Sequence, residues 1–182
     1  MKKLPILICL LVFAFEVSAV ENKVGDFANK CSGLFLIMSM PEGEDWKPFT
    51  ENMIELSNTM TLVAAGIYER SGNNPFSGTN REKTQQLMNA SYLEADKIIN
   101  LYKSDASSVL GLYARCDKFR ENFAYFAMNN PNSDAVILES LQVPGRQQMN
   151  EQKTGLIRMV LDLSFTALEQ AGIDSLAELF KK

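Results

Sequence analysis

Apolar residues recur at three- and four-residue steps in five stretches of the chain, the spacing that gathers them on one face of an α-helix. The best patterned is Asp105–Asn129, where Val109, Leu112, Cys116, Phe119, Phe123 and Phe126 or Ala127 share a face and Asp105 stands at the cap position. A first stripe runs from about Asn22 to Ser39 through Val24, Phe27, Cys31, Leu34 or Phe35, and Met38, with Lys23, Asp26 and Lys30 turned away from it. A second runs through Phe49, Met53, Leu56, Met60, Val63 and Ile67 to Tyr68, with Asp45 as the expected cap and Pro48 in the first turn, where its missing amide costs little. A third spans Asn80 to about Lys103, with Met88, Tyr92, Ala95, Ile99 and Tyr102 as its stripe behind a wet opening half. The fifth, Gln148–Gln170, has Leu156, Val160, Leu163 and Ala167 on one face and Ile157, Leu161 and Leu168 on the next, and this width predicts a central helix touched from more than one side.

The punctuation agrees with the stripes. Pro41 and Gly43, Ser71-Gly72, the loop Asn73–Gly78, Pro131, the Val143-Pro144-Gly145 turn and Gly172 fall between them. Thr79 and Glu82 have the spacing of a capping box. Short helices are expected at Ala135–Leu141 and after Asp174, which is the expected cap for Leu176, Leu179 and Phe180. No segment alternates as a strand does. The pattern therefore predicts an all-α fold, a single compact helical domain of about five main helices with one interhelical disulfide, short connections favouring antiparallel neighbours.

Residues 1–19 have a different character. Lys2 and Lys3 precede the apolar run Leu4–Phe15, and Val17-Ser18-Ala19 supplies small residues where a signal peptidase would cut, as in a bacterial export signal. The expected division is a signal peptide over 1–19 and a helical domain over 20–182, beginning at Val20 and lying in the periplasm or outside the cell. The alternative is a retained anchor, for which the apolar run is short against the roughly 20 residues a span needs. After cleavage no stable membrane insertion is expected.

Composition narrows the chemistry. The formal charge is −4, and losing Lys2, Lys3 and Glu16 with a leader changes 18 basic and 22 acidic residues to 16 and 21, a charge of −5. Without a basic cluster, that sign argues against nucleic acid as a partner. Histidine is absent, which removes the usual general base near neutral pH and the commonest neutral metal ligand. No catalytic residue, cofactor site or metal site is assigned.

Two cysteines outlast a leader containing Cys9. Cys31 and Cys116 each lie on an apolar stripe, and in an oxidising compartment the simplest outcome is a disulfide between the first and fourth helices. The other polar groups have ordinary readings. Glu42, Glu44 and Asp45 beside Trp46 form a solvated loop, or alternatively the acidic side of a carboxylate-dependent cell-wall hydrolase, with Asp134 and Glu139 as further acids. Asp117, Lys118, Arg120 and Glu121 are expected on the wet face of the fourth helix. Met38, Met40, Met53, Met60 and Met88 read as core filling, or as an adaptable apolar lining. The functional expectation is an exported, non-enzymatic structural or protein-interaction protein with an envelope protein as partner. The alternatives are a binder of small apolar ligands and the hydrolase.

Overall fold

The computed structural model describes residues 23–72, 74–128 and 151–179, which form six helices with no strand among them. They are α1 (residues 23–38), α2 (Lys47–Ser71), α3 (Asn80–Ser104), α4 (Ala106–Met128), α5 (Glu151–Gln170) and α6 (Leu176–Leu179). The expected signal peptide over 1–19, the expected helix Ala135–Leu141, the Val143–Gly145 turn, Asp134, Glu139 and Phe180 lie outside the described residues, and nothing is drawn from the side chains of Phe126 and Ala127.

The centre of the fold is α1 rather than α5. From Cys31 to Met38 its sequence is CSGLFLIM, with no charge in eight positions, and a helix without a charged face must be enclosed. Leu34, Phe35, Ile37 and Met38 are buried accordingly. Toward the N-terminus the stripe fails at its first member, since Val24 is 37% exposed.

Three helices close around α1. On one side Asp26 accepts a hydrogen bond from the Tyr68 hydroxyl of α2, and Ser32 meets Ser57 and Thr61. On another, Phe27 packs edge-on against Phe119, Cys31 bonds to Cys116, and Phe35 meets Tyr113 of α4. Rising positions on α1 meet falling positions on α2 and α4, so both run antiparallel to it. Asn29 and Gly33 meet Ser91 and Ala95 in rising order, so α3 runs parallel to α1. The Cys31–Cys116 bond joins Cα atoms 5.4 Å apart and 85 residues apart in sequence. Cross-linking a loop of that length stabilises by about 3–5 kcal/mol in the chain-entropy account.

The α1–α3 contact depends on Gly33. A methyl group there would stand 2.8 Å from the backbone nitrogen of Ala95 and from the carbonyl oxygen of Ser91. Such an approach between backbones admits only glycine. It also rotates α3 away from its expected stripe: Leu87 and Ser91 are buried, whereas Met88 is 38% exposed. Ser91 is drawn in by its 2.6 Å bond to the Asn29 side-chain oxygen. Thr61 and Ser91 then link a chain of hydroxyls running to Ser32 and Ser57, and no buried side-chain nitrogen or oxygen among the described residues lacks a partner.

The caps show how each helix is fixed. Thr79 and Glu82 form the full reciprocal capping box, Asp105 accepts the Ser108 amide at 3.1 Å, and Gly72 closes α2 at φ 67°. Two expected caps are replaced. Asp45 does not cap α2, because the chain enters it from a turn in which the Trp46 amide is taken by the Gly43 carbonyl, and Trp46 holds the cap position without a side-chain bond. Asp174 does not cap α6. Ser175 does, with Asp96 of α3, whose carboxylate accepts from the Ser175 hydroxyl and from the amides of Leu176 and Ala177 at 2.7, 2.7 and 3.3 Å. A carboxylate on those first amides fixes α6 to α3.

Replacing Gly33 by alanine is expected to cost about 1–3 kcal/mol, since the new methyl meets backbone atoms that cannot rotate away. The same change at Gly66, mid-helix in α2 with nothing within 4 Å, is expected to stabilise by about 0.5–1 kcal/mol. Urea unfolding of the two variants checks the contrast; equal effects would remove Gly33 from its role.

Candidate functional site

The connection between α1 and α2 faces the C-terminal half of α5 across an open cleft of about 470 Å³. Pro41, Glu42 and Trp46 form one wall, and Leu163, Thr166, Ala167, Gln170 and Ala171 the other. Trp46 makes an edge-on contact with Phe49, ring centres 6.2 Å apart, and its half-buried indole forms part of the wall. The acidic cluster beside Trp46 thus borders a real concavity, but only Glu42 of the three lines it; Glu44 and Asp45 are exposed outside. Glycoside hydrolysis by carboxylates needs two of them, roughly 5–9.5 Å apart across the substrate. Among the described lining residues the cleft offers one.

The cleft continues onto the outer face of α5. Leu156, Met159 and Leu163 are 46%, 44% and 38% exposed there, while Ile157, Val160, Leu161 and Leu168 face inward. The breadth of apolar sequence on α5 therefore marks two surfaces, one packed and one open, and not a central position. A smaller recess of about 400 Å³ lies between the end of α2 and the start of α3, lined in part by Phe76, Glu69 and Lys83. There Lys83 and Asn74 both donate to Glu69, and these bonds hold its carboxyl below the usual range. The lining charges are paired with each other.

A third polar cluster lies between α4 and α5. Asp117 and Arg120 are buried, contrary to their expected place on a wet face, and form a 2.8 Å ion pair at i,i+3. Lys153 of α5 reaches the other oxygen of Asp117 at 2.7 Å and lies 5.9 Å from the centre of the Tyr113 ring. Lys153 is 36 residues from Asp117 in sequence, so helical periodicity around α4 carried no sign of it. In that dry setting the cluster locks α5 against α4, and removal of Asp117 would take this counter-charge from both Arg120 and Lys153.

The disulfide cysteines are the remaining site residues expected from the sequence, and they are joined in the core, away from the cleft. Met38, Met53 and Met60 are buried core residues, not a cleft lining. The Asn29–Ser91–Thr61–Ser32–Ser57 chain is a further polar feature with no expectation attached. Its signal is the recurrence of small polar residues at Asn29–Ser32 and Ser57–Thr61, at helical spacing within otherwise apolar faces. With no titratable member, it orients helices rather than moving protons.

Three phenols join the helices and set an alkaline limit. Burial first, then the hydrogen bond to Asp26, raises the Tyr68 hydroxyl far above its ordinary value; burial and the Asp117 charge do the same to Tyr113. Tyr102, stacked on Phe165 at 4.0 Å and bonded to Asp162, is pushed up to about 12, again by burial first. A raised value means that the folded protein holds these protons more tightly than the unfolded chain. Their stabilisation is complete below the ordinary phenol range near pH 10 and is lost as pH rises toward 12 and beyond. Absorbance of phenolate at 295 nm should show delayed ionisation, with a step near pH 12 that Tyr102→Phe removes; ordinary titration of all the phenols near pH 10 would contradict these contacts.

Comparison of the chain with protein-family models, curated proteins and solved structures gives no match, so the geometry alone carries the functional argument.

Proposed function

We propose that this protein is an exported, non-enzymatic interaction protein of the bacterial envelope, which presents the Trp46 cleft and the outer face of α5 to a protein partner. The observation that carries the reading is the continuity of that surface. Three large apolar side chains on successive turns of one helix run into a concavity walled in part by Trp46, and such contiguous exposed apolar surface is characteristic of contact sites. Support for export comes from the lysine–apolar–small pattern of residues 1–19 and from the Cys31–Cys116 bond, since disulfides persist in oxidising compartments. The disulfide, the ion cluster and the hydroxyl chain all hold elements in fixed relation, which suits a surface that acts by shape.

A second reading has one observation behind it. A cleft of about 470 Å³ falls in the size range of small-molecule sites, and Trp46, Pro41 and Leu163 give it apolar area. A retained lipid or other apolar molecule in native mass spectrometry would favour that reading over a protein partner.

Leu163 is exposed enough to change without opening the core, so Leu163→Glu should keep the circular dichroism spectrum and melting temperature of the parent. Chemical cross-linking in intact cells is expected to join the parent to a partner and to lose about tenfold or more of that adduct in Leu163→Glu. Intact mass of envelope-recovered protein should correspond to a chain starting at Val20. An adduct indifferent to Leu163 would contradict the assigned surface, and a mass retaining Met1–Ala19 would contradict processing.

A further inference from the structure

The Cys31–Cys116 bond lies between two aromatic contacts that join the same pair of helices. One turn before Cys31, Phe27 meets Phe119 edge-on, ring centres 5.5 Å apart. One turn after it, Phe35 meets Tyr113 edge-on at 6.5 Å. Because α1 and α4 are antiparallel, an aromatic pair stands at each end of the bond. Other sides of α1 are covered by α2 and α3 at Ser32 and Gly33, the two residues that follow Cys31. Both cysteines are 0% exposed, so neither sulfur meets solvent.

Making or breaking a disulfide needs more room than that. A thiolate must reach one sulfur, and the exchange passes through a mixed disulfide that carries the incoming molecule on a cysteine. To form this bond, the thiolate of one cysteine attacks the disulfide of an oxidant and releases one of its sulfurs as a thiolate. The thiolate of the other cysteine then attacks the mixed disulfide at the protein's own sulfur and releases the second. The two cysteine protons and two electrons are balanced on the oxidant, which leaves as a dithiol. With Cα atoms 5.4 Å apart and a ring pair on each side, the closed helices leave no space for the mixed disulfide. We infer that Cys31 and Cys116 are joined by a disulfide-donating oxidant while α1 is still open, and that enclosure of α1 then puts the bond beyond the reach of thiols. The oxidant therefore acts on an open chain and not on the finished domain.

Reduction of the oxidised, folded protein by millimolar dithiothreitol tests the seal, with free thiols trapped by iodoacetamide and counted by mass. Without denaturant, the bond should be reduced roughly 1,000-fold or more slowly than in the urea-unfolded chain, because only the open fraction reacts. Urea below the unfolding transition should raise the logarithm of that rate along the slope of global unfolding, measured on the same protein by circular dichroism. Phe27→Ala removes one ring of the pair before Cys31. Its bond should be reduced about tenfold or more faster than its own global stability allows, with a shallower dependence on urea.

The order of events is read from the reverse reaction. Reduced chain diluted from urea directly into oxidised glutathione should form the bond at the rate of the unfolded chain, and a delay before the oxidant is added should slow it as the helices close. A reduced chain that stays unfolded by circular dichroism at every delay, and becomes native only on oxidation, equally places the bond before enclosure. Reduction of the folded parent within about tenfold of the unfolded rate, or with no dependence on urea, would overturn the inference. So would undiminished oxidation of a reduced chain that has already regained its native spectrum. Reduction of Phe27→Ala along its own global slope would remove the aromatic pair from the seal.

Discussion

Everything else in this fold follows from the enclosure of α1. Eight uncharged positions from Cys31 to Met38 leave that half of the helix with no side that water would solvate. Burial of its large side chains is worth about 1.5–3 kcal/mol each relative to exposure, and it is realised only if neighbours cover the whole circumference. Gly33 lets α3 come to backbone contact, Ser32 and Asn29 give α2 and α3 polar partners, and Cys31 fixes α4 by a covalent bond. Apolar, small, polar and covalent contacts are distributed around one helix, so each neighbour has its own means of recognising its side.

The hydroxyl chain refines this arrangement. Each such bond contributes only about 0.5–1.5 kcal/mol net, but a buried hydroxyl without its partner costs more than the bond yields. A rotation of α2 or α3 about its own axis would break these bonds between helices, leaving Thr61 and Ser91 only the carbonyls of Ser57 and Leu87 in their own helices and taking the Ser32 carbonyl from Ser57. The polar contacts therefore select one rotation of each helix among those that apolar burial alone would accept. The turn of α3 that brings Leu87 and Ser91 inward in place of Met88 is the visible consequence.

Much of the architecture was legible in the sequence. The five main helices, the Thr79–Glu82 box, the Asp105 cap, the Gly72 stop and the Cys31–Cys116 pairing rest on local periodicity, on short-range capping chemistry or on two cysteines with no third after Cys9. What was not legible depends on distant chain. Asp96 caps α6 from 80 residues away, and Lys153 buries Asp117 from 36 residues away, so no window around either end contains the other. The misreading of α5 has a different cause. A helix that packs on one side and leaves apolar residues exposed on the other has the same periodicity as one enclosed by its own fold. CSGLFLIM in α1 held the better signal, being uncharged on every side, whereas α5 carries Lys153, Arg158, Asp162 and Glu169. The cleft was half legible: the acids and Trp46 marked its near wall, and nothing in the sequence connected them to α5.

Native-state hydrogen exchange tests most directly whether α1 is the element on which the others depend. Amides from about Ala28 to Met38 should exchange at the rate of global unfolding and be the slowest in the protein, with α5 amides on its outer side exchanging sooner through local openings. Equal or faster exchange of the α1 amides relative to those of α5, under conditions where the protein is folded, would contradict the account.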